Sequence, residues 1–167
     1  MSAPLTELKT RARLMLNAAK RDQSTAGAPQ AEHGAELRLR DCLNRAARDA
    51  GFTHWDHARR ILGGLAAPAD DMGTFWHAPA CHALLNAWFT DADRARTALA
   101  ATRGSFLLPY KRQFVVTQDQ YIREMGLDPA DPAWALLRRD LVAGYGSPAW
   151  AELAARRLKA PRNTFHQ

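Results

Sequence analysis

The stretch AELRLRDCLNRAARDAGFTHWDHARRILGG, residues 35–64, decides how this chain is read. Leu39, Leu43, Ala46, Ala47 and Ala50 recur at helical spacing with Cys42 beside them, so residues 35–50 predict an amphipathic helix. Gly51 follows where a left-handed C-terminal cap is wanted, and Phe52 is placed to fold back on the last turn. Thr53 and Asp56 stand at capping-box spacing, with Asp where Glu is usual. A short helix over 54–62 then buries Trp55, Ala58, Ile61 and Leu62 and stops at Gly63-Gly64.

On the amino-terminal side, Leu5, Leu8, Ala12, Met15 and Leu16 predict a helix over 5–20. Residues 22–34 hold turn formers and almost no large apolar side chains, and read as a loop. Three helices thus form a headpiece over 1–64, followed by a linker over 65–73 (LAAPADDMG).

Beyond the linker the pattern changes. Residues 74–77 predict a short strand, and 83–89 a strand or a buried helical turn. Asp91 caps a helix reaching Ala101, ended by Gly104. Strands over 105–108 and 113–117 are interrupted by Pro109. A helix over 119–125 follows, then one from Pro132 to just before Gly144, and one capped by Ser147 with Pro148 at its first position. This second part spans 74–160, and 161–167 read as a loose tail. The fold class is α+β, mostly helical.

Composition narrows the function classes. A hydrophobic fraction of 47% with five tryptophans supports a packed core, and no run approaches the roughly 18–20 apolar residues of a membrane span. Charges at Glu7, Lys9, Arg11, Arg13 and Lys20 interrupt any signal-peptide core, which predicts a cytoplasmic protein and no membrane partner. Cys42 and Cys81 read as reduced thiols. Heavy use of alanine and arginine points to a bacterial source with a GC-rich genome. Of the Trp residues at 76, 88, 134 and 150, most are expected in the core.

The leading segment resembles a small three-helix bacterial module found in glyoxalase-related proteins, on Leu8-Lys9, Ala46-Ala47, Ala50-Gly51-Phe52 and Trp55. The resemblance covers residues 5–64, implies a three-helix fold and brings no catalytic residue with it. Residues 74–167 resemble no characterised family.

Net charge is +6. Residues 1–64 carry eleven basic against seven acidic side chains, and 65–167 twelve against ten. That balance favours nucleic acid or an acidic protein partner. Arg59 and Arg60 would supply one contact. Tyr110, Lys111, Arg112 and Gln113, between two apolar strands, would supply a second, stacking on a base or holding a phosphate. Ala47 and Gly51 have the four-residue spacing of a helix-turn-helix, with Arg59, Arg60 and His54 or His57 on the reading helix, although His57 stands where that motif wants an apolar residue. A plain helical hairpin accounts for the same spacing.

Two further readings compete. Cys81 could act as a nucleophile with His77 or His82 as base, making a small enzyme. His54, His57, His77 and Cys81 could hold Zn²⁺, which accepts nitrogen and sulfur ligands. A protein–protein adaptor is a third possibility, which an exposed apolar patch would support.

Overall fold

A computed structural model describes residues 1–25 and 36–166. The quoted stretch forms α2 (Leu39–Asp49) and α3 (Trp55–Leu62), and the first helix is α1 (Ala3–Thr25). The expected loop over 22–34 begins later than its composition suggests, because residues 22–25 continue α1. Its remainder, and the expected start of the second helix at residue 35, lie outside the described residues.

The α2–α3 junction follows its residues. Gly51 takes φ +95°, and the Phe52 N–H donates to the Ala47 carbonyl at 3.0 Å, closing the cap. Gly51 is needed for space as well: a Cβ there would stand 2.6 Å from Thr74 Oγ1 and 2.9 Å from the Phe75 nitrogen. Gly51→Ala is therefore expected to destabilise the fold by about 2 kcal/mol or more, measured by urea unfolding. The next cap differs from the Thr53–Asp56 box. His54 is the N-cap, and its Nδ1 accepts from the His57 N–H at 3.1 Å. His57 Nδ1 in turn accepts from the Thr53 N–H at 3.1 Å. Two imidazoles do the work expected of a hydroxyl and a carboxylate.

Residues 74–77 form a turn, not a strand: Thr74 N–H donates to the Gly51 carbonyl, and His77 N–H to the Thr74 carbonyl. Within the apolar segment 83–89, Ala83 ends a 3-10 turn (Pro79–Ala83) and the far end forms the expected strand, only three residues long, as β1 (Ala87–Phe89), with Leu85 fully exposed between them. Next come α4 (Ala92–Ala101), β2 (Phe106–Tyr110), β3 (Gln113–Thr117) and α5 (Asp119–Glu124). Pro109 does not interrupt β2. It pairs with Phe114 in an edge strand, where a missing N–H is tolerated. The sheet is antiparallel in the order β1-β3-β2, with Trp88 opposite Val115 and Leu107 opposite Val116. Together with the helices this is the mostly helical α+β class.

The helix from Pro132 stops early, as α6 (Pro132–Leu136). Arg138 and Arg139 turn left-handed at φ +52° and +58°, and the chain runs back beside β2 through a bridge between Leu107 and Asp140. The last helix, α7 (Pro148–Lys159), starts on Ser147 Oγ as expected.

One continuous cluster of buried side chains runs from Leu5, Leu8 and Ile61 through Phe75, Trp76 and Phe106 to Trp134, Trp150 and Leu158. Trp88 is the exception among the four tryptophans, 43% exposed. The stretch expected as a linker is bonded at several points. Ala66 N–H donates to Tyr145 Oη, Arg60 pairs with Asp70 at 2.7 Å, and Met72 N–H donates to the Lys111 carbonyl. Arg11 of α1 donates to the Leu158 carbonyl of α7, tying the first helix to the last.

Candidate metal centre

His77, His82 and His166 come from three separate segments, and one ligand atom from each lies within 4.8 Å of the others. Each is positioned by its own local structure. The turn set against Gly51 carries His77, which is fully buried. Its Nδ1 lies 2.7 Å from His166 Nε2, and its Nε2 has no partner among the described residues. His82 sits on the exposed face of the 3-10 turn. That turn is anchored by Asn86, which donates to the Cys81 carbonyl and accepts from Thr117 Oγ1 of β3.

His166 arrives by a route that the composition of 161–167 did not suggest. The tail does not trail: it forms a second 3-10 turn (Arg162–Thr164) and buries Phe165. Arg157 of α7 holds it there. This fully buried guanidinium donates to the carbonyls of Phe75, Met125, His77 and Thr164 and to Thr164 Oγ1, at 2.6–3.1 Å, and lies 3.7 Å above the Phe165 ring. One side chain therefore fixes both the His77 backbone and the segment that delivers His166. The sequence does show an arginine in an apolar helix face, but nothing in it says which carbonyls that arginine would reach.

Electrostatics favour the neutral form of His77 and of His166. Burial, followed by the charges of His166, His82 and Arg157, pushes His77 down to about 4. Burial and the same cationic surroundings also lower His166. A neutral ring offers a lone pair to a metal ion at physiological pH. The His77 shift also has a stability consequence for metal-free protein. The unfolded chain takes up a proton near pH 6.5 and the folded one only near 4, so stability is full above 6.5. It declines as pH falls towards 4, by about 3 kcal/mol at most if the group behaves alone. Urea unfolding in the presence of a chelator, at pH 7 and pH 4.5, checks this, with a loss concentrated in that window as the expected result.

Cys81 is fully buried, its Sγ 3.7 Å from the Tyr121 carbonyl, and burial raises its thiol to about 11. A nucleophile needs the opposite environment, so the geometry gives no support to thiol catalysis. Cys81 is also absent from the ligand group, and so are His54 and His57, whose Nδ1 atoms are engaged in the α3 cap. Tyr110 packs against His77 with ring centroids 4.9 Å apart and against Trp88 at 5.2 Å, which makes an aromatic wall beside the histidines. Lys111 reaches back over the Tyr110 ring, and Gln113 is exposed opposite Tyr110 at the hairpin end. Arg59 pairs with Asp56, Arg60 with Asp70, and Arg112 donates to the Ala69 carbonyl.

Comparison with known protein families, curated proteins and solved structures gives no match. The chemistry of the site therefore rests on its own residues. A tetrahedral ion held at 2.0–2.1 Å separates imidazole nitrogens by roughly 3.3 Å, so the rings need shifts of about an ångström to enclose one. The His77 nitrogen that faces His166 is Nδ1, which as an acceptor in the neutral ring suits that role. Three imidazole nitrogens suit zinc and its neighbours in the first transition row, and not calcium or magnesium.

Proposed function

We propose that the protein binds a divalent transition ion, zinc in the first instance, through His77, His82 and His166. The observation that carries this reading is the meeting of three imidazoles from segments up to 89 residues apart around a buried, neutral His77. Three nitrogen ligands with a further position open is the donor set of catalytic rather than purely structural zinc sites. Such an ion supplies Lewis acidity or an activated water. The chain's own contributions are to keep His77 neutral, to anchor His82 through Asn86, and to hold His166 through Arg157. Titration of chelator-stripped protein with zinc sulfate, and separately with cobalt chloride, tests the reading. One ion per chain and visible cobalt bands of a low-coordinate nitrogen site are expected. Binding that is absent or far below one ion per chain would overturn it.

A second reading has its own observation. The basic residues of α3 and of the β2–β3 hairpin meet across residues 67–73, where Arg60 and Arg112 both reach the Ala69–Asp70 corner. This supports a surface for nucleic acid or an acidic protein partner built from Arg59, Arg60, Tyr110, Lys111, Arg112 and Gln113. Duplex binding through it would weaken with salt at a log–log slope of about −0.9 per phosphate neutralised. Salt-independent or absent binding would remove it. A cytoplasmic setting goes with either reading. No helix among the described residues is long and apolar enough to cross a membrane, and the two cysteines are buried and unpaired.

A further inference from the structure

A second cluster of charge shares no residue with the histidine centre or with the α3–hairpin surface. Arg96, Arg103, Arg138 and Arg139 line a cleft of about 390 Å³ between the end of α4 and the turn after α6, together with Gly104, Ser105 and Asp140. Arg96 is paired with Asp93 and Asp140. The side chains of Arg103, Arg138 and Arg139 make no ion pair or hydrogen bond with any described residue.

Local structure does not explain why three cations gather here. The end of α4 has its own partner, since Ser105 Oγ donates to the Thr102 and Leu99 carbonyls at 2.6 and 3.3 Å. Asp140 is already occupied, accepting from the Val142 and Ala143 N–H groups at 2.9 and 2.8 Å besides its contact with Arg96. Arg138 stands at the left-handed position after a helix end, with the Arg139 N–H donating to the Trp134 carbonyl at 2.8 Å. Glycine or asparagine is the unstrained choice at that position. Instead two successive arginines adopt positive φ, a strain that concentrates at functional sites. Arg139 is also aimed: its guanidinium lies 4.7 Å over the Phe106 ring, and its Nη1 would be 3.6 Å from a Cβ placed on Gly104.

We propose that this cleft binds phosphate groups, through the guanidinium groups of Arg103, Arg138 and Arg139. Their planar forks match phosphate oxygens, and a bound anion relieves the repulsion among three cations that have no carboxylate of their own. The site uses none of the residues of the histidine centre or of the α3–hairpin surface, so it is tested independently of them.

The test is calorimetric titration of the full chain with inorganic pyrophosphate and, separately, with a short duplex DNA. Three variants are compared with the unaltered protein: Arg138→Asn with Arg139→Asn, Arg103→Gln alone, and Arg59→Gln with Arg112→Gln. Asparagine accepts the left-handed backbone, so the first variant loses charge without new strain. Arg103→Gln repeats the question at an exposed position of ordinary backbone. Pyrophosphate affinity is expected to fall about tenfold for each arginine removed from the cleft, and to stay within about twofold in the Arg59/Arg112 variant. Pyrophosphate binding without duplex binding assigns the cleft to a small phosphorylated ligand. Binding of both, lost together in the cleft variants, assigns it to a nucleic-acid backbone. No pyrophosphate binding by the unaltered protein, or equal loss in all three variants, overturns the proposal.

Discussion

Arg157→Met is expected to destabilise the protein by about 4 kcal/mol or more, read from urea unfolding at pH 7. The substitution keeps most of the apolar stem and removes five donated hydrogen bonds. The carbonyls of Phe75, Met125 and His77 lose a buried partner, and each unsatisfied group costs roughly 1–3 kcal/mol. Part of that is returned, because burial, only partly offset by Cys81 and Tyr121, pulls the guanidinium down to about 9, a sign of how costly its desolvation is. Arg157→Lys should recover little, since one ammonium cannot span carbonyls that a planar fork reaches on several sides. A loss under about 1 kcal/mol in either variant would mean that the tail is held by Phe165 packing and not by the arginine.

Zinc at a hundredfold excess over its dissociation constant should stabilise the protein by about 2.7 kcal/mol, and His166→Ala should abolish most of that gain. Removing one of three ligands leaves two imidazoles, a set that holds a transition ion weakly, so affinity is expected to fall about a hundredfold or more. His166 is the informative position because it is half-buried just beyond the last 3-10 turn, where truncation to Ala leaves Phe165 and the Arg157 contacts in place. The variant should therefore unfold near the metal-free stability of the unaltered protein and respond little to zinc. An undiminished zinc response would place any bound ion elsewhere. His82→Ala should behave in the same way, since its ring is exposed and its loss leaves the core untouched.

The α2–α3 hairpin was legible because helix periodicity, the Gly51 cap and the double-glycine stop are local signals, and the Asp91 and Ser147 caps were legible for the same reason. Residues 74–77 and 132–143 were not. Their patterns allow a strand and a long helix, but tertiary bonds to Gly51 and to Leu107 win over local propensity. The tail is the sharpest case. Its composition carries no fold signal, and its order comes from an arginine in the preceding helix and carbonyls some eighty residues earlier in the chain. His77 and His82 could be named from the sequence as chemical candidates. Their third partner could not, because coordination depends on distance in space and His166 is 89 residues from His77 along the chain.

The sequence by itself determined the helices with local start and stop signals, the two strands of the hairpin, the class of the fold and the excess of positive charge. Only the tertiary structure decided which charges are neutralised, which arginines stand together without partners, and which three histidines meet. The physical reason is range. Caps and periodicity act within a turn or two of the chain, whereas ligand sets and charge clusters are made by whatever side chains the packed core brings together.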